Sequence, residues 1–114
     1  MTNLFEERRQ TARIAAKNGS ELWLGRPHAV RLVEISMTGA LLRASHGPPV
    51  GEHGELRTKL GDHTFAARVE IRRVVAQPEQ GEMPGRYTLG VSFVSLDPEN
   101  RRCLERFLRQ PGTP

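Results

Sequence analysis

Two short segments carry the side chains best suited to recognition chemistry. One is "RRQTAR", with Arg8, Arg9 and Arg13; the other is "EISMTG", from Glu34 to Gly39. Arginine presents a planar, permanently charged fork of donors that matches phosphate oxygens and the O6/N7 edge of guanine. Arg9 and Arg13 are spaced as RxxxR, and Arg8 directly precedes them. In the hexapeptide, Glu34 supplies a carboxylate and Ser36 a hydroxyl, and Gly39 permits either a positive φ or a close backbone approach. On an extended strand Glu34 and Ser36 point to one side and Ile35 to the other, toward the core. The result is a small polar face preceded by a cationic arm. Taken on local signals alone, the arm reads first as a solvated tail, and the hexapeptide as an ordinary hairpin corner.

Other chemistry is poorly served. His28, His46, His53 and His63 are not paired at metal-ligand spacing and sit at or near predicted turns, as surface histidines do. Cys103 lies mid-helix beside an apolar face, the position of a half-buried structural thiol. No serine occupies a nucleophile elbow, and no glycine-rich phosphate loop with a lysine is present. The expectation is a binding module that is not an enzyme and needs no cofactor.

The elements that must position these residues are short. The chain of 114 residues suits one domain with one modest core. No segment reaches the ~20 apolar residues of a membrane span, the N-terminus lacks the apolar stretch of a secretion signal, and a lone cysteine excludes an internal disulfide. A soluble cytoplasmic protein, without membrane insertion and monomeric, is expected. The net charge is +4, and 15 of the 17 basic residues are arginine, Lys17 and Lys59 being the exceptions. That skew suits anionic partners, and follows equally from a GC-rich genome.

Hydrophobic patterning predicts strands. "FAARVEIRRVV" alternates Phe65, Ala67, Val69 and Ile71 with Ala66, Arg68, Glu70 and Arg72, as a half-buried antiparallel strand does. "ELWL", "AVRLVEIS", "ALLRAS", "ELRTKL" and "YTLGVSFVSL" read as further strands, and "RIAA" could begin one more. "KNGS", "GRPH", "MTG", "HGPPVGEHG", "GDHT" and "AQPEQGEMPGR" punctuate them. The period then changes. Asp97 is an N-cap, Pro98 suits the first helical position, and Leu104, Phe107 and Leu108 fall on one face. Arg101, Arg102, Arg106 and Arg109 lie mostly off it. About six short antiparallel strands and one C-terminal amphipathic helix point to a small barrel or sandwich with the helix over one opening or edge. The expected boundaries are an arm over 1–13, strands over 14–96, a helix over 97–110 and a frayed tail over 111–114.

The two opening segments, in this order, resemble the PilZ domain signature, RxxxR followed by (D/N)xSxxG. "RQTAR" matches the first. "EISMTG" matches the serine and glycine of the second, with Glu34 where the family has Asp or Asn. "GVSFVSLDPENRRCLERFL" is similar to the family's closing strand and helix, so the likeness covers nearly the whole chain. It implies an all-β fold with a C-terminal helix: a six-stranded antiparallel PilZ-type β-barrel capped by one amphipathic α-helix. It also implies a receptor for the bacterial second messenger cyclic di-GMP. Arg9 and Arg13 would clamp guanine and phosphate, Ser36 and the backbone around Gly39 would meet the ligand, and Glu34 would accept from the guanine N1–H and N2–H edge. Arg8 implies two intercalated ligand molecules per domain. Output would travel through a downstream protein, in the manner of motility or biofilm regulators. The alternative is a degenerate module that binds protein and not nucleotide, as in pilus assembly. A basic barrel that binds nucleic acid nonspecifically would need aromatic platforms and a positive groove, and the chain has only Trp23, Tyr87 and four phenylalanines; no DNA partner is expected.

Overall fold

Phe65 sets the pattern of the barrel wall. In the strand that carries it, Phe65, Ala67, Val69 and Ile71 are buried while Arg68 and Arg72 stand in solvent, so one face makes core and the other surface. The computed structural model describes residues 19–77 and 86–110, together with the backbone of residues 12 and 13. Arg8, Arg9, most of the predicted arm, the "RIAA" and "KNGS" segments through residue 18, the loop 78–85 and the tail 111–114 lie outside the described residues.

The elements are β1 (Ala12–Arg13), β2 (Ser20–Trp23), β3 (Pro27–Ile35), β4 (Gly39–Ala44), β5 (His53–Leu60), β6 (His63–Ala76), β7 (Tyr87–Ser95) and α1 (Pro98–Arg109). Pairing runs β3–β2–β5–β6–β7–β4, and β4 pairs back onto β3. This last ladder decides between barrel and sandwich: the six strands form a closed antiparallel β-barrel with one C-terminal helix. β1 stands outside the ring as a two-residue rung on β3, with Ala12 opposite Ile35 and Arg13 opposite Glu34.

Inside, Leu22, Leu32, Ile35, Leu42, Leu56, Leu60, Phe65, Val69, Ile71 and Leu89 are almost wholly excluded from water. Ser20 and Thr58 are buried among them, and their hydroxyls satisfy each other at 2.6 Å. β5 begins at His53, two residues before "ELRTKL". Gly54 permits this because a side chain there would strike the carbonyl of Trp23 and the Leu24 side chain. The β5–β6 hairpin turns through Gly61 at φ +66°, as its two-residue connection requires.

The helix is fixed at its start. Asp97 accepts from the Asn100 N–H at 2.7 Å, Pro98 occupies the first turn, and Asn100 Oδ1 accepts from the Ala66 N–H at 2.9 Å, tying α1 to β6. Leu104 is fully buried; Cys103, Phe107 and Leu108 are half-buried against the core. Burial pushes the Cys103 thiol up, with Arg106 acting in the opposite direction.

The capping bond from the Asn100 N–H, with its side-chain amide second, holds the Asp97 carboxyl below its ordinary range. A depressed folded value means the cap stabilises fully above the unfolded carboxylate pKa, and is lost as pH falls through the lower folded one. Melting wild type and Asp97→Ala from neutral to strongly acidic pH should therefore show a gap that closes only in acid. A gap independent of pH would remove the carboxylate from this role.

Candidate functional site

The corner between β3 and β4 is built by Ser36. Its N–H donates to the Gly39 carbonyl at 2.9 Å, leaving Met37 and Thr38 as the two central residues. Neither has a positive φ, so the turn is not one of the primed types that match strand twist unaided. The Ser36 hydroxyl compensates. Its Oγ accepts from the Thr38 N–H at 3.2 Å, lies 3.1 Å from Thr38 Oγ1, and reaches the Gly39 carbonyl at 3.4 Å. The Thr38 carbonyl accepts from the Phe93 N–H at 2.9 Å, pinning the corner to β7.

Gly39 is needed for close approach and not for a positive φ. A Cβ there would drive into the Val91 carbonyl and come within 3.1 Å of Ser92 Cα. The missing side chain lets β4 and β7 close, and leaves a gap on the outer wall.

Glu34 reaches that gap through a β-bulge. Leu32 pairs with Leu42 and Glu34 with Leu41, so Val33 is an extra residue in β3. Strict alternation from the buried Leu32 would turn Glu34 into the core. The bulge shifts the parity, keeping Ile35 buried and Glu34 on the outer face. Among the described residues no cation forms an ion pair with Glu34.

Glu34, Ser36, Thr38, Gly39, Leu41 and Ser92 line a depression of about 290 Å³ on the barrel exterior. Its chemistry is a carboxylate acceptor, hydroxyls and one exposed apolar surface, Leu41. That set suits a flat ring with hydrogen-bonding edges. Arg13 of the RxxxR segment lies opposite Glu34 in the β1–β3 ladder, so the end of the first segment and the start of the second share one rung.

The structure thus brings together Glu34, Ser36, Gly39 and the backbone of Arg13; Arg8 and Arg9 lie outside the described residues. Sequence reading missed Leu41 and Ser92. The first was available in "GALLRA", where burying Ala40, Leu42 and Ala44 turns Leu41 outward. Ser92 needs the β4–β7 register, which places it opposite Gly39. Trp23 is elsewhere, on the outer face of β2. Its indole N–H donates to Glu21 Oε1 at 3.0 Å, and the Arg57 guanidinium lies 4.4 Å over its ring. His28, His53 and His63 sit at or next to strand starts and His46 in the loop after β4, with His28 and His46 in edge contact at 5.7 Å between ring centroids.

Comparison with known proteins adds the family. A family model described as "PilZ domain" matches residues 7–110. No curated protein matches the sequence. Among solved structures, the Bacillus subtilis inhibitor of motility (MotI/DgrA) superposes with a TM-score of 0.66 at 17% identity, over 89% of this chain and 49% of that one. The chain therefore spans about half the length of that protein. The PilZ domain of Escherichia coli YcgR with c-di-GMP gives 0.66 at 19% identity, over 89% of this chain and 88% of that domain. Among the described residues no helix is long and apolar enough to cross a membrane.

Proposed function

Since the chain belongs to the PilZ domain family, we propose that it is a cytoplasmic receptor for cyclic di-GMP that signals to a partner protein. The observation that carries this reading is the shared rung. Arg13 stands opposite Glu34 beside the depression lined by Ser36 and Gly39, so both motif segments meet one surface. In this reading Arg9 and Arg13 clamp guanine and phosphate, as charge-assisted and bidentate contacts favour. Glu34 accepts from the guanine N1–H and N2–H edge, Leu41 packs on the ring face, and Ser36 and the Gly39 backbone meet the ligand beyond it. Arg8 serves a second, intercalated molecule. That the YcgR domain, of the same fold, was solved with c-di-GMP supports the receptor reading.

Calorimetric titration with cyclic di-GMP tests it. Wild type should give saturable heat near two equivalents, and the Arg9→Ala, Arg13→Ala protein at least ~100-fold weaker binding, two charge-assisted contacts being removed. Heat absent from the wild type, or equal affinity in both proteins, would end the reading.

A second reading rests on Glu34 itself. Glutamate keeps the acceptor pair but carries its charge about 1.5 Å farther than aspartate, and sets a full negative charge near ligand phosphates where asparagine would set none. A nucleotide-independent adaptor, of the kind that pilus or motility systems use, follows if that change is decisive. Under the receptor reading Glu34→Asp alters affinity modestly. Under the adaptor reading it creates binding absent from the wild type.

A further inference from the structure

Two arginines face each other across the same outer wall. In the β3–β4 ladder, Arg31 lies directly opposite Arg43, and the burial of Leu32, Leu42 and Ala44 turns both outward. Directly opposed residues in an antiparallel pair hold their Cβ atoms about 5 Å apart, and like charges there destabilise the ladder. The usual remedy is an intervening carboxylate. Among the described residues the ion pairs are His53–Glu70, Arg57–Glu55 and Arg72–Glu70, none of which includes Arg31 or Arg43. Both arginines are half-buried, so water screens their repulsion only in part. The chain therefore sets two arginines on one rung, and no ion pair among the described residues neutralises either.

Their place gives the cost a purpose. On this outer face, past the inward Leu32–Leu42 pair, the next position toward the corner is Glu34 opposite Leu41, and beyond the inward Ile35–Ala40 pair comes Gly39, opposite Ser92. Leu41 and Arg43 lie on one face two residues apart, about 7 Å along the strand. That is the reach of a single nucleotide, whose base and phosphate are joined through one ribose. We propose that Arg31 and Arg43 form a phosphate-binding rung that takes a phosphodiester of the guanine nucleotide whose base lies on Leu41 and faces Glu34. A phosphate between two guanidinium forks converts the repulsion into two charge-assisted contacts. The sheet itself orients the pair, since β3–β4 register fixes both Cβ atoms. This subsite rests on the cyclic di-GMP reading and adds to it an anion site that neither motif contains.

Titration of three proteins with cyclic di-GMP, each also melted without ligand, tests the subsite. They are the wild type, Arg31→Gln with Arg43→Gln, and Arg31→Glu alone. The double glutamine protein should bind at least ~10-fold more weakly, with a shallower dependence of affinity on salt, since fewer charges meet the ligand. Its melting temperature should equal or exceed that of the wild type, because a repulsion has been removed. Arg31→Glu should melt higher still, having gained a cross-strand ion pair with Arg43, and should bind least. Wild-type binding with both variants within twofold in affinity would overturn the subsite and leave the receptor reading standing. So would losses of affinity that track losses of melting temperature. No binding by the wild type would overturn both.

Discussion

Gly39→Val is expected to lose about 3 kcal/mol of stability, the upper end of ordinary overpacking, and nucleotide binding with it. The obstruction is the backbone of β7, the Val91 carbonyl and Ser92 Cα, so no side chain can swing away to make room. Gly39 also forms a rung with Ser92 in the β4–β7 ladder, one of the pairings that close the ring. Thermal melts should fall by roughly 10 °C or more for a domain of this size. Gly61→Ala provides the contrast. Nothing crowds that position, and its φ of +66° alone opposes a side chain, so the loss should stay near the ~1–2 kcal/mol of a left-handed non-glycine residue. Equal losses at the two glycines would show that close approach is not what position 39 demands.

Phe65→Ala should be the costliest single change in the interior, at about 3–5 kcal/mol. Phe65 is fully buried and meets Phe93 edge-on, with ring centroids 5.8 Å apart at 62°. It also precedes Ala66, whose N–H bonds Asn100 of the helix, so the void would open beneath the joint between α1 and β6. Natural domains hold only ~5–15 kcal/mol in total, so the variant should sit close to its unfolding transition at physiological temperature. Denaturant unfolding reads this as a large fall in midpoint at unchanged slope. A loss under about 1 kcal/mol would mean that Phe93 and the helix collapse into the space, contrary to a fixed joint.

The elements that were legible in the sequence are those whose pattern is local. Alternation through Phe65, Ala67, Val69 and Ile71 gave β6 its inner face, and Asp97 before Pro98 gave α1 its first turn. The resemblance to the PilZ signature supplied the barrel, which periodicity alone left open against a sandwich. What could not be read depends on register. The bulge at Val33 exists only between two paired strands, and its effect on Glu34 cannot be deduced from "AVRLVEIS", since strict alternation from Leu32 sends that carboxylate inward. The opposition of Arg31 and Arg43 also needs the β3–β4 ladder, although the residues are far from remarkable singly. Gly39 had two possible reasons in the sequence, and only the approach of β7 selects one. The start of β5 was set late because "HG" follows a proline-rich loop, while Gly54 is in the strand for want of room beside Trp23.

Alternation across the barrel wall also divides the chain into two populations that mutate under separate rules. Leu32 and Leu42 answer to interior volume, while Glu34 and Leu41, on the same two strands, answer to whatever meets the outer wall. Either set can be rewritten over generations while the other is held, and this lets one architecture persist as its specificity drifts. Gly39 is where the two histories are tied: it serves strand closure and the shape of the outer surface at once, so a lineage that abandons the ligand still has reason to keep it.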